Sequence, residues 1–349
     1  MRLTVDKIAS VTRNLNLQRT LTLGEDILVE EGSAIAVRVH GEKRTYNQLE
    51  DTHGRWMTLH DGDLVVGVLG KRNALHGYEG VMPRSVKIGD TLNMLNIGGV
   101  IGECVSYNPE VGKPFQLEVL GQVLLFPEFQ SRQGIPAHIR HNALQGVPTA
   151  PKVPIIFILG TCMNSGKTLA GSAMVRALHQ AGYKVGGAKL TGISLMRDTL
   201  HLYDHGAEVI ADFTDAGIVC SGPETAAETA HKVLSEIAAK GVDVIVAETG
   251  DGVMGEYGVQ AILADEALRA QCACFVFCAN DPVGVAGGVE YLRESFGIDV
   301  DVVAGPATDN AVGTRFVERL GIPARNARVD PKSLGELALD LVQKFKARS

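Results

Sequence analysis

The sequence predicts an α/β fold: a doubly wound parallel sheet over residues 153–349, preceded by a small mostly-β domain, a barrel or a sandwich, over residues 1–129. Three observations predict it. Up to about residue 129, short segments rich in Val, Ile and Leu are separated by Gly, Asn, Asp and Pro, with no long helical period between them. From Val153 onward, apolar runs alternate with segments of helical spacing. The 349 residues also exceed what one core usually holds, while 40 glycines and 5% aromatics suit a chain with many tight turns.

In the first domain, strands are expected at 26–30, 33–40, 63–69, 91–97, 100–105 and 116–125. The stretch GVLGKRNALHGYEGVMP gathers Gly70, Lys71, Arg72, His76 and Gly80, which reads either as a site for an anionic substrate or as a loop against the second domain. Residues 130–152 mix Pro, Gly, Gln and His and read as a linker, with a short helix near 137–144.

In the second domain, VPIIFILG is a continuous apolar run ended by glycine, the pattern of a parallel strand buried on both faces. Helical spacing follows at 168–181, with Leu169, Met174, Ala177 and Leu178 available for one face. Strands are then expected at 184–189, 242–247, 274–278 and 300–304, and helices at 226–240, 287–296, 314–320 and 331–347. In such a sheet, ligands sit beyond the carboxyl ends of the strands.

A net charge of -7 argues against nucleic acid or an anionic membrane as an electrostatic partner. No apolar run reaches the roughly 18 residues of a membrane span, and the first twenty residues hold no signal core, so a cytoplasmic location is expected. The six cysteines lack framework spacing and read as reduced thiols. Cys272, Cys274 and Cys278 share strand parity, which suits a thiolate site or, more commonly, apolar packing. His201 and His205 stand at helical spacing, but no further ligand accompanies them.

The segment Gly160-Thr-Cys-Met-Asn-Ser-Gly166-Lys167-Thr168 lies between an expected buried strand and an expected helix, the context a phosphate-binding P-loop requires. Glycines let successive N–H groups curl inward as an anion nest, and the helix N-terminus adds partial positive charge. Gly160, Thr161, Asn164, Ser165, Gly166, Lys167 and Thr168 are the expected nucleotide contacts, with Lys167 on the β- and γ-phosphates and the Thr168 hydroxyl on Mg²⁺. Lys189 ends the second strand, beside the P-loop, where it would neutralise phosphate or orient an anionic substrate. Glu248 ends the strand of VDVIVAETGDG and suits a metal-holding carboxylate, with Asp251 in the loop behind it. Either Asp198 or Asp204 could complete the metal shell or serve as a plain cap, and Thr191, Gly192 and Asp251 are the candidate substrate contacts.

Five residues separate the P-loop glycines, and Gly160, Thr161, Gly166, Lys167 and Thr168 fit the pattern G-T-x-T-x-x-G-K-T, from which Met163 departs. With Ala181-Gly182-Tyr183, Lys189 and Glu248-Thr-Gly-Asp-Gly252, residues 153–328 resemble the dethiobiotin synthetase-like P-loop proteins. The resemblance implies that Lys167 and Lys189 contact phosphate and substrate oxygens, that Thr168, Glu248 and an aspartate hold Mg²⁺, and that the chain forms a homodimer across the substrate site. The family's adenine-contacting asparagine has no clear counterpart near 305–310, while absence of an NKxD motif favours ATP over GTP. The leading expectation is an ATP-dependent, ligase-type enzyme that activates a small carboxylate or carbamate. The alternatives are a regulatory or cofactor-delivering NTPase and a non-hydrolytic binder of a phosphate-containing cofactor such as coenzyme A.

Overall fold

A computed structural model describes residues 1–127, 133–147 and 149–348. The chain forms two compact units. The first comprises Met1–Ala143 together with two later segments, Ile193–Met196 and Thr214–Cys220; the second takes the rest of the chain from Leu144. The domain boundary expected at 129–130 lies outside the described residues.

In the first unit five strands close a ring. Ala34–His40 pairs with Leu64–Leu69, and Leu64–Leu69 with Val100–Tyr107. Val100–Tyr107 pairs with Thr91–Met94, Thr91–Met94 with Gln116–Leu125, and Gln116–Leu125 returns to Ala34–His40. The unit is therefore a barrel and not a sandwich. Along Gln116–Leu125 the period of two sends Leu117 and Val119 inward, and they share one core with Val37, Val39, Val66 and Ile101.

Residues 26–30 form no strand; Thr20–Gly24 does, while Ile27 and Val29 lean on the core from an irregular segment. Of the expected linker, Ile135–Pro136 pairs with Gln116–Leu125, and 137–144 holds a single 3₁₀ turn, Ile139–Asn142. The buried Ala137 and Ile139 fasten this segment to the barrel core. The GVLGKRNALHGYEGVMP stretch forms a hairpin of Arg72–Asn73 and Tyr78–Val81. Its Arg72 is buried and donates to the Tyr46 hydroxyl at 2.7 Å and to the Leu95 carbonyl, so that guanidinium is structural.

The elements of the second unit, in chain order, are β1 (Ile155–Gly160), α1 (Lys167–Gln180), β2 (Val185–Thr191), α2 (Arg197–Asp204) and β3 (Ala207–Asp212). Then come α3 (Ala226–Ala239), β4 (Val244–Thr249), α4 (Val259–Ala264), α5 (Glu266–Arg269) and β5 (Cys272–Cys278). The last four are α6 (Pro282–Phe296), β6 (Val302–Ala304), α7 (Ala311–Arg319) and α8 (Pro331–Arg348). The six strands are all parallel, in the order β3-β2-β4-β1-β5-β6. Ile156, Ile158, Val244, Val246 and Val276 pack beneath Met174, Val175 and Leu178 of α1 and Leu334 and Val342 of α8. Among the described residues no helix is long and apolar enough to cross a membrane.

Two helices begin earlier than their apolar spacing predicts, because caps decide the start. The Asp281 carboxylate accepts the Val283 and Gly284 amides ahead of α6, and Asn310 accepts Val312 and Gly313 ahead of α7. The helix α2 covers the helically spaced stretch around His201, whereas β3, α4 and α5 are not among the expected elements.

Candidate phosphate-binding site

The site grows from the end of β1, which is buried throughout. After Gly160 the backbone turns through Asn164 (φ 60°) and Gly166 (φ 92°), two left-handed residues that curl the loop before α1 starts at Lys167. The first amides of α1 have no acceptor inside the helix and are open to an anion. Two neighbouring loops brace this one. The Val253 amide donates to the Gly160 carbonyl at 2.9 Å, and the Thr161 amide to Cys278 at 3.0 Å. Gly305 stands so close that a Cβ there would lie 2.2 Å from the Ser165 carbonyl, and its φ of +86° excludes most other residues.

Lys167 is buried rather than exposed, at 5% relative exposure. Its ammonium donates to the Cys162 carbonyl at 2.8 Å and lies 3.5 Å from the buried Ser165 hydroxyl. Asn164 is exposed at the loop's crest, and Thr161 and Thr168 are half-buried on its flanks.

Register across the sheet aligns the remaining charges. Lys189 on β2 is the direct neighbour of Glu248 on β4 and of Asp212 on β3, giving a row Asp212–Lys189–Glu248 at the strand ends. All three are buried. Lys189 also pairs with Asp198 in the first turn of α2. Burial works against the Lys189 charge, but Asp198, Glu248 and Asp212 outweigh it and hold its pKa above the ordinary value. Burial likewise opposes the Asp198 charge, and Lys189 outweighs it, holding that carboxyl below its usual range. Glu248 goes the other way: burial, reinforced by Asp198, pushes it up to about 7, against the pull of Lys167, Lys189 and the Thr168 hydroxyl.

The residues suit a hard divalent cation. Glu248 Oε2 is buried with no hydrogen-bond partner among the described residues. The Thr168 hydroxyl bonds the Glu248 carboxyl, Asp198 is close enough to shift it, and all three groups offer oxygen, the donor Mg²⁺ takes. Among the described residues no group of three His, Cys, Asp or Glu side chains is placed to hold a metal unaided.

The other expected residues fall in different places. Asp204 is exposed at the far end of α2 and stands apart from this cluster. Thr191 is fully buried and donates to the Gly250 carbonyl at 3.1 Å; Gly192 (φ 127°) donates to the Ser221 hydroxyl at 2.8 Å. Both brace strand ends. Asp251 (φ 64°) holds a left-handed conformation uncommon for a non-glycine residue, in the loop that braces Gly160. His201 and His205 stack with ring centroids 5.8 Å apart on α2. Burial pushes the Cys278 thiol up to about 12 and Cys272 and Cys274 well above their usual range, so these thiols behave as apolar packing. Two site residues escaped sequence reasoning. Asp212 ends a strand that the sequence does not announce, and Asn280, directly after β5, donates to Cys162 Sγ at 3.3 Å.

A buried strand, a curled glycine loop, a lysine at the helix start and carboxylates at the next strand ends define an α/β domain of the P-loop class. No protein-family model matches the sequence, and no curated protein matches it. Among solved structures it is similar to the signal recognition particle receptor FtsY from Elizabethkingia anophelis, at 14% identity over 58% of this chain and 68% of that one, with a TM-score of 0.38. The same receptor in complex with GDP matches at 13% identity over 59% and 67%, with a TM-score of 0.38. Chloroplast FtsY from Physcomitrella patens matches at 13% over 57% and 69%, with a TM-score of 0.35.

Proposed function

We propose that the chain binds ATP with Mg²⁺ on its P-loop and transfers the γ-phosphoryl group to a small carboxylate or carbamate, as ligase- and synthetase-type enzymes do. The observation that carries this reading is the buried row Asp212–Lys189–Glu248, which ends at Glu248 on β4, the strand beside β1. Binding of a triphosphate calls for one lysine, Lys167, beside the loop amides. A second lysine, kept charged by carboxylates on both sides, suits an anionic acceptor that must approach an anionic phosphate.

Thr168, Glu248 and Asp198 would hold Mg²⁺, which when bound neutralises charge on the β- and γ-phosphates. The loop amides and Lys167 orient the phosphates. Lys189 draws in the acceptor oxygen, which bonds to the γ-phosphorus as the bond to the bridging oxygen breaks and ADP leaves. The product is an acyl phosphate, from which a second nucleophile displaces phosphate. Asp251 remains the candidate contact for the acceptor. The resemblance to dethiobiotin synthetase-like proteins and the missing NKxD motif support ATP as the nucleotide and a homodimer as the assembly.

Thermal melts with ATP, GTP or coenzyme A, each with Mg²⁺, test the ligand. A ligand that binds only the native state at about 100 times its Kd contributes about 2.7 kcal/mol. ATP is expected to raise the midpoint most. Stabilisation by coenzyme A without any by ATP overturns the reading. Phosphate release from Mg·ATP across a panel of small carboxylates and amino acids then tests the reaction, and no stimulation by any of them counts against transfer.

A further inference from the structure

The chain leaves the P-loop unit just past Lys189 and re-enters it at Arg197, directly before Asp198. The intervening segment, Ile193–Met196, belongs to the barrel unit and is fastened there along its whole length. The Ser194 amide donates to the Val219 carbonyl at 2.9 Å, and the Ser194 carbonyl accepts from Asn96 Nδ2 at 2.8 Å. The Thr214 hydroxyl donates to Ser194 Oγ at 2.9 Å, and the Met196 amide donates to Glu50 Oε2 at 2.8 Å. Glu50 and Asn96 are 0% and 1% exposed. Gly98 leaves no slack, since a Cβ there would lie 2.1 Å from the Ser194 carbonyl.

Burying a carboxylate and a carboxamide against the backbone of one short segment costs solvation that a surface loop would keep. What the segment joins accounts for that placement. Its two ends run directly into the end of β2 and the start of α2, the elements that carry Lys189 and Asp198. The second segment of the unit, Thr214–Cys220, begins just past Asp212 and is held likewise: Arg13 pairs with Asp215 at 2.8 Å, and the Cys220 amide donates to Glu31 at 3.2 Å.

We propose that Glu50, Asn96 and Gly98 of the barrel are positioning residues for the Lys189–Asp198 pair, acting through the segment Ile193–Met196. The proposal rests on the reading of that pair as part of a phosphoryl-transfer site. Misplacing a reacting group by about 1 Å costs on the order of 100-fold in rate.

The test uses the full chain with Glu50→Ala, Glu50→Gln and Asn96→Ala. Phosphate release from Mg·ATP gives kcat and KM, and deuterium uptake of peptides over 189–200 is followed without nucleotide. Glu50→Ala and Asn96→Ala are expected to lower kcat about tenfold or more and to speed exchange over 189–200, with KM for ATP within about threefold. Glu50→Gln keeps an oxygen for the Met196 amide and is expected to restore most of the rate. If Glu50→Ala does not fold, Asn96→Ala and Gly98→Ala decide. A folded variant with a rate near wild type overturns the proposal, as does a Glu50→Gln rate no better than that of Glu50→Ala. A wild-type chain that neither binds nor turns over ATP overturns the reading of the site, and the proposal falls with it; active wild type with indifferent variants overturns positioning alone.

Discussion

Lys167 holds its own loop closed over the Cys162 carbonyl, so its removal reaches further than the loss of a surface charge. Lys167→Ala is expected to abolish phosphate release and to lower stability by about 1 kcal/mol, the worth of one intramolecular hydrogen bond, as read from turnover and a thermal melt. Ordinary turnover would take the P-loop out of the mechanism. Glu248 provides a pH test. Its folded pKa, about 7, stands above the ordinary 4.5, so its contribution to stability is complete below that lower value and is lost as pH rises through the higher one. Against a Glu248→Gln variant, which does not titrate there, the nucleotide-free wild type is expected to lose stability between about pH 5 and about pH 8 in denaturant unfolding. An unchanged difference between the two proteins at both pH values would sink the buried-carboxyl account. At this scale the P-loop was legible because its residues are contiguous, and Lys189 and Glu248 because each closes an apolar run. Asp212 was not, since strand register brings it beside Lys189, and no local pattern carries register. The choice between Asp198 and Asp204 was open for a related reason: the start of α2 depends on a segment held by distant residues.

Elements with a strong period, such as α1, β1, β4 and α8, stood where apolar spacing put them, within a residue or two. The errors gathered where composition and packing part. Residues 26–30 have the apolar content of a strand, but the ladder beside Gln116–Leu125 is taken by Thr20–Gly24. No strand is expected over AEVIAD, yet β3 forms at the sheet edge, where half-exposed positions are tolerated. The loop after β6 carries a prediction of its own. Gly305→Ala puts a methyl group against Ser165 in a conformation that costs a non-glycine residue about 1–3 kcal/mol. Because the collision falls on the P-loop backbone, ATP affinity is expected to drop about tenfold or more while the chain stays folded, as measured by calorimetric titration. Unaltered affinity would mean that the loop after β6 does not set the shape of the P-loop.

For the molecule as a whole, the two units are compact but neither is one stretch of chain. Val219, from the second returning segment, is 1% exposed within the barrel core. A fragment of residues 144–349 would carry that segment and Ile193–Met196 with nothing to cover them, and residues 1–143 would lack both. Each fragment alone is expected to be poorly soluble or readily digested by protease, whereas the full chain should melt in one transition by calorimetry. Two well-separated transitions, or a soluble and protease-resistant 144–349 fragment, would contradict this. The chain passes between the units at 143/144, 192/193, 196/197, 213/214 and 220/221. Such threading bears on descent. A domain joined by a single peptide link can be gained, lost or exchanged by one recombination event in the gene, but a barrel that claims two internal segments of its neighbour cannot be traded that way. Its lineage and that of the P-loop unit are expected to share one history, so a tree drawn from either unit should branch like a tree drawn from the other.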